Sequence, residues 1–362
     1  MPNRKSWRES AYDNFDLKAE APEARIPTIQ FAFHFPELLA SFQEFDAEAN
    51  DARDRNRRRG MLGIGLVWIA LVYAASTPLL HGGHHSLPLR IVGVVAAALG
   101  LIGTTFGLFG LSNTSQRRRW LMARWKTEML RLFHFQYIAS RVRDIEEAQR
   151  QDLQSAYEAR RKAALDELLT TLTTTVDHDF EEAIEPGSPE PFAFIEKQFA
   201  TGRLSSAMKD LLAAWLTLRV EWQLEYCKAK LDNRATKHKL SPRQQENVFS
   251  HITWVCITIV MLTHFAFVVG ELVSVRMNWL ETVVIWTALM ALSIRALEDG
   301  LQPQREVERY EHYRASVLVS RQRFLATHDV QTKLEIMRNF EQVSLEEMRT
   351  FLRTHAKAKF LL

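Results

Sequence analysis

Two apolar segments joined by a few residues around Arg276, together spanning Phe249 to Ala296, constrain this chain more than any other feature. Each is long enough to cross a bilayer core of about 30 Å at 1.5 Å per helical residue. They read as the two halves of a transmembrane hairpin. Met61 to Leu111 repeats the arrangement: Met61 to Leu80 crosses, a short His-rich link follows, and Pro88 to Leu111 returns. A buried soluble helical pair is the alternative, but two adjacent apolar segments of this length with no acidic residue argue against it.

The expected fold class is therefore mainly α. It is a polytopic membrane protein with four transmembrane helices in two hairpins, long cytoplasmic helices and one short extended N-terminal segment. The boundaries follow from the composition shifts. Residues 1–54 form an N-terminal cytoplasmic arm, 55–111 the first hairpin, 112–248 a cytoplasmic helical region, 249–299 the second hairpin and 300–362 a C-terminal cytoplasmic helical pair. A net charge of +3 and a charged fraction of 25% describe an ordinary soluble protein only because they average over two unlike solvents. Cys227 and Cys256 lie on a charged helix and in an apolar segment, so neither a disulfide framework nor a thiolate metal site is expected. The first fifty residues are polar, and a cleavable signal peptide is not expected.

Within the arm, Ile29, Phe31, Phe33 and Phe35 alternate with Gln30, Ala32 and His34, the period of a strand with one apolar face. Pro27 and Pro36 flank it, as for an edge strand. So small a face docks on another part of the protein or on a partner.

Cations at the ends of the apolar segments set the orientation. Arg55, Arg57, Arg58 and Arg59 precede the first crossing, and Arg117, Arg118, Arg119, Arg124 and Lys126 follow the second. Lys237, Lys239 and Arg243 precede the third, and Arg295 and Arg305 lie at or after the end of the fourth, whereas the links hold only Arg90 and Arg276. Both termini are thus expected in the cytoplasm. Arg57 to Arg59, Arg117 to Arg119, Trp120, Trp125 and Arg295 are the expected interface anchors. The aromatic and basic mixture from Arg119 to Phe135 also has the look of nucleic-acid binding, but directly after a membrane exit it reads as headgroup-level anchoring.

Ser112 to Glu185 contains no Gly or Pro, which predicts one long helix or two nearly continuous ones. Pro186-Gly-Ser-Pro-Glu-Pro191 is the clearest breaker, and Leu204 to Leu240 is the next helical stretch. Gln304 to Thr327 and Val330 to Leu362 read as a final helical pair. The last helix has a capping-box-like Ser344-Leu-Glu-Glu347 and an apolar face of Leu334, Met337, Phe340, Leu345, Met348 and Phe351.

Gly93, Gly100, Gly103, Gly107 and Gly110 fall on one side of the second crossing, with Ala96 among them, and allow another helix to approach closely. In the third crossing Ser250, Thr253, His264 and Glu271 fall within about 60° on a wheel of 3.6 residues per turn. In the fourth, Glu281 and Arg295 share a face with Ala288 and Ala291. Ionisable groups in such segments usually face a bundle interior or a water-filled cavity, which makes Thr253, His264, Glu271 and Glu281 candidate pore-lining residues. The competing reading has Glu271, Glu281 and Arg295 snorkelling from helix ends and His264 bonding a neighbouring helix. His81-Gly-Gly-His-His85 is either a metal site or, as the absence of nearby Cys and carboxylate favours, a solvated turn.

Trp222-Gln-Leu-Glu-Tyr226-Cys-Lys-Ala229, a basic helix, two crossings, Tyr310-Glu-His-Tyr-Arg314 and the ending Glu346-Glu-Met-Arg-Thr-Phe-Leu-Arg-Thr-His355 are similar to the SLATT-type proteins. These are two-transmembrane effectors associated with SMODS nucleotidyltransferases and SLOG domains in bacterial conflict systems. The similarity runs from Leu204 to Leu362, and the first hairpin resembles a diverged copy. It implies an inner-membrane effector that oligomerises and perforates or disturbs the membrane when a nucleotide signal is sensed. The implied partners are the lipid bilayer, further copies of the chain and a cytosolic sensor or nucleotide-signal protein. The chain has no recognisable nucleotide-synthase or Rossmann-like domain, which leaves the source of the signal open. No phosphate-cradling Gly loop, His-Glu-x-x-His pair, Gly-x-Ser-x-Gly elbow or Cys-x-x-Cys pair is present, so no catalytic residue, metal, cofactor or nucleic-acid partner is expected. A non-conducting membrane scaffold or signalling protein that recruits a cytosolic partner is the second reading.

Overall fold

The computed structural model describes residues 15–17, 28–80, 87–112, 114–151, 153–174, 177–185, 187–188, 205–232, 240–273 and 279–357. After a 3-10 turn (Phe15–Leu17) and a helical turn (Gln30–Phe33) come α1 (Pro36–Leu80), α2 (Leu87–Ser112), α3 (Thr114–Ser140), α4 (Val142–Gln151), α5 (Gln154–Thr174) and α6 (Asp177–Ala183). They are followed by α7 (Ser206–Trp215), a π-helical segment (Leu216–Glu221), α8 (Trp222–Leu231), α9 (Pro242–Leu272), α10 (Trp279–Leu301), α11 (Pro303–Ala326) and α12 (Val330–Lys357). No strand occurs among the described residues. Three stretches of helix, within Gln30–Thr77, Pro242–Leu272 and Trp279–Ala326, are long and apolar enough to cross a membrane, and Ile91–Gly103 is a shorter apolar helix.

The chain divides into two units. The first comprises Met1–Asn50, Trp120–Lys237 and Glu306–His355; the second comprises Asp51–Arg119, His238–Arg305 and Ala356–Leu362. The first unit therefore gathers three polar parts of the sequence, and the second gathers the apolar helices.

The first unit is built around α3. Leu130, Phe133, Phe135, Ile138 and Ala139 are all but inaccessible. Trp215, also inaccessible, packs on Phe324 and Phe340 with ring centroids 5.1 and 5.5 Å away. The expected face of α12 is buried at Leu334, Met337, Phe340, Leu345 and Met348, with Phe351 half-buried.

Four local expectations are corrected. Ile29, Phe31, Phe33 and Phe35 are buried as expected of an apolar face, but the backbone over Gln30–Phe33 is helical, not extended. The reason is Arg161 of α5: its guanidinium donates to the carbonyls of Ala32 (2.6 Å) and His34 (2.8 Å) and lies over the Phe35 ring. A strand would need ladder partners, whereas a single helical turn leaves free carbonyls that a buried cation can satisfy. The segment docks within the first unit.

Second, the region after Ser112 is divided into α3, α4, α5 and α6. The Arg141 N–H bonds the Ile138 carbonyl at 3.3 Å, tightening the end of α3, and α4 packs on α5 and α7. Turning there buries Val142, Ile145, Ala148, Leu165, Leu168 and Leu172, and that burial outweighs the local preference to continue. Third, Ser344 is not a cap. It lies inside α12, donates to the Phe340 carbonyl and meets the Tyr313 hydroxyl at 3.0 Å. The capping box instead opens α9, where Ser241 and Gln244 bond each other's backbone and Pro242 takes the first helical position.

Fourth, Trp120 and Trp125 are buried in the first unit, not placed as interface anchors. Trp120 packs edge-on against His355 and Phe351, and Trp125 against Phe180. The mixed aromatic and basic start of α3 serves a core on one side and ion pairs on the other.

Candidate functional site

In the second unit, α9 and α10 pack together. The buried positions of α9 are Cys256, Thr263 and Gly270, small residues spaced by seven, as at a close seam between helices. Leu280, Thr287, Ile294 and Leu301 of α10 are buried with the same spacing. A second buried set on α10, Thr282, Ser293, Ala296 and Gly300, gives this helix two covered sides. Trp286 Nε1 donates to Ser76 Oγ of α1 at 3.1 Å.

The polar stripe of α9 lies beside this seam. Ser250, His264 and Glu271 are exposed and Thr253 is half-buried. His264 Nδ1 bonds the Val260 carbonyl of its own helix at 2.8 Å. Around the stripe α9 exposes Trp254, Met261, Leu262, Phe265 and Leu272. On α10, Glu281 and Arg295 are exposed, and Arg295 pairs with Glu298 at 3.3 Å.

The glycine face of α2 rests on α1 of the same chain. A Cβ on Gly93 would stand 3.0 Å from the Tyr73 hydroxyl. On Gly100 it would meet the Ala70 Cβ at 2.7 Å, and on Gly103 the Leu66 Cβ and the Val67 backbone nitrogen at 2.8 Å. Gly107 and Gly110 lie further along α2. Among the expected anchors, Arg57, Arg117 and Arg118 are half-buried, while Arg58 and Arg59 are exposed.

In the first unit, residues of the Trp222 to Ala229, Tyr310 to Arg314 and Glu346 to His355 stretches meet. Glu306 accepts from Arg309 and from His355 Nε2 (2.9 Å), and Arg309 also pairs with Glu347. Arg309 lies over the Tyr310 and Phe351 rings, and the Tyr310 hydroxyl stands 3.4 Å from that of Tyr226. Burial alone would raise the Glu306 carboxyl, but Arg309 and His355 hold it well below the ordinary range.

A second ionic network crosses the same unit and was not legible as a motif. Arg219, on the π-helical segment, grips Glu341 with two bonds of 3.0 and 2.6 Å and is flanked by the Phe135 and Phe340 rings. Arg131 pairs with Asp16 and Glu128, and Arg124 with Glu128 and Asp46. Burial works to raise the Glu128 carboxyl, yet Arg124 and Arg131 bring it down to about 2. Only Arg219's position on an irregular helical turn hints at more than packing.

His134 stands between these charges and the Phe33 and Phe135 rings, with neither ring nitrogen hydrogen-bonded among the described residues. Burial, then the charges of Arg161 and Arg219, depress it to about 3. The imidazole stays neutral in the folded state while the unfolded chain protonates near 6.5. Its contribution is therefore complete above about pH 6.5 and is lost on acidification at about 1.4 kcal/mol per pH unit. His134→Phe flattens this slope: its melting temperature rises relative to the parent as pH falls from 7 to 5. Parallel profiles for the two proteins would show that His134 does not stay neutral.

Among the described residues, no group of three or more His, Cys, Asp and Glu side chains is arranged to hold a metal ion. The His81 to His85 link, Arg90's side chain, the Arg276 link and most of the Pro186 to Pro191 breaker lie outside the described residues. Compared with protein-family models, curated proteins and solved structures, the chain matches none.

Proposed function

We propose that this chain is a bacterial inner-membrane effector of a defence or conflict system. In this reading α1 with α2 and α9 with α10 are two membrane hairpins, both termini are cytoplasmic, and the chain oligomerises on a signal to form a pore or disrupt the bilayer. The carrying observation is the stripe of α9. Ser250, His264 and Glu271 are exposed on a helix otherwise covered with exposed Trp254, Met261 and Phe265. An ionisable side chain facing lipid is costly and usually turns toward a bundle interior or a water-filled cavity. A second copy set around a wet path removes that cost. The resemblance of Leu204 to Leu362 to SLATT-type effectors points the same way and supplies the trigger, a cytosolic sensor or nucleotide-signal protein.

A non-conducting scaffold is the second reading, favoured by the bond from His264 to its own helix, which satisfies one ring nitrogen without any path. Ion flux through the purified protein in liposomes separates the two. The pore reading expects flux on activation, and expects Glu271→Gln with Glu281→Gln to shift the reversal potential toward weaker cation preference with assembly intact. Persistent impermeability of inserted protein under activation removes the pore. Unchanged selectivity in a working channel removes the two carboxylates from its path.

A further inference from the structure

Asp16 reaches the core of the first unit from the 3-10 turn, which packs on the π-helical segment carrying Arg219. Its Oδ2 lies 2.8 Å from Arg131 Nε and 3.7 Å from Arg219 Nη1, and accepts from Gln223 Nε2 at 3.4 Å. Its Oδ1 is buried with no hydrogen-bond partner among the described residues. One oxygen of the carboxylate is held and the other is idle. A buried acceptor left in that state is unusual.

The charges around it are complete without Asp16. Arg124 has Asp46 and Glu128, Arg131 has Glu128, and Arg219 has Glu341. Asp16 is a fourth carboxylate against three guanidiniums, so its departure leaves no buried cation unpaired. The aromatic rings on both sides of Arg219 and its two-bond grip on Glu341 hold the guanidinium in place whether or not Asp16 is there. Arg131 and Arg219 also border a small cleft lined by Glu128, Met129, Leu132, Leu345 and Met348. Two of the groups that hold Asp16 thus reach the edge of that cleft as well.

We propose that Asp16 is an exchangeable plug in a preformed oxyanion site made by Arg131, Arg219 and Gln223, and that the site takes a singly charged oxyanion, a carboxylate or a phosphodiester group, when the turn withdraws. The charge tally sets the class. A monoanion restores the one excess negative charge that the site already holds, whereas a dianion adds a second, uncompensated charge to buried surroundings. Ligand and Asp16 exclude each other, so occupancy releases the N-terminal turn from the π-helical segment and couples the site to the arm. The proposal does not depend on whether the protein conducts.

The test uses the full chain in detergent, with apparent melting temperature as the readout and chloride at matched ionic strength as the reference. Asp16→Ala melts below the parent, and acetate or dimethyl phosphate raises it saturably by about 2–4 °C, while sulfate does no more than chloride. The parent and Asp16→Asn, whose slots are filled, do not respond. A response to acetate alone assigns the site to carboxylates, to dimethyl phosphate alone to phosphodiesters, and to both to the shared group. An Asp16→Ala protein indifferent to both anions, or a parent that responds equally, overturns the proposal. Should Asp16→Ala fold only with help, refolding yield takes the place of melting: a gain with either anion over chloride supports the site, and no gain overturns it.

Discussion

Arg219→Met destabilises the first unit by about 3–5 kcal/mol, the range for breaking a buried ion pair from one side. Glu341 is inaccessible to solvent, and both bonds to its carboxylate come from Arg219. Burial already raises the Glu341 carboxyl above its ordinary range against the pull of Arg219. Without Arg219 the folded chain must hold an unpaired buried carboxylate or take up a proton. Methionine fills the space between the Phe135 and Phe340 rings, so the loss reports the charge and not a cavity. Glu341→Met alone is costly for the mirror reason, since the nearest carboxylate left to Arg219 among the described residues is Asp16 at 3.7 Å. The double variant recovers most of the loss, because an apolar pair of similar volume often matches a buried ion pair. Arg219→Lys does not rescue, since an ammonium cannot reproduce the two-bond grip. Melting of the four proteins closes the cycle. A double variant as unstable as the sum of the single ones would show that the two side chains act separately.

What could be read from the sequence depended on how local the signal was. The apolar segments stand out by length and composition, and the last helix by the spacing of Leu334, Met337 and Phe340, because neither depends on what packs opposite. The alternation at Ile29, Phe31, Phe33 and Phe35 correctly marked a buried face but not its backbone. Period two and one helical turn are hard to separate over so few residues, and Arg161, 126 or more residues away along the chain, decides between them. Trp120 and Trp125 misled for a related reason: a Trp and Arg mixture serves an interface or a core equally well, and His355 and Phe180 determine which. Nothing local announces that Asp16, Arg131, Arg219 and Glu341 converge, since they come from four separate parts of the chain. The polar stripe of α9 was visible on a helical wheel. That it flanks the line of Cys256, Thr263 and Gly270 required the position of α10.

The glycine face of α2 allows close approach of a helix without saying which one. Five glycines on one side predict close helix approach, and the sequence alone allows that partner to be another copy of the chain. In the structure the partner is α1: Gly93, Gly100 and Gly103 meet Tyr73, Ala70 and Leu66 with Val67, a descending order along α1. Gly103→Leu is therefore expected to damage the fold of the single chain. A Cβ there already stands 2.8 Å from the backbone nitrogen of Val67, and a backbone atom cannot rotate away as a side-chain tip can. Overpacking of a side chain against side chains costs about 1–3 kcal/mol. Here the two helices must separate, and the cost lies at or above the top of that range. Gly65→Ala is the control on the same pair of helices, because nothing lies within 4 Å of its Cβ. Replacing a helical glycine there is neutral or stabilising by up to about 1 kcal/mol. Melting and protease protection of the α1 and α2 region read both variants, and native gels read the assembly. Gly103→Leu should lose protection while the protein that remains folded keeps its oligomeric state. A variant that melts like the parent but falls apart on the gel would move the glycine face to a contact between copies and return α1 to the lipid.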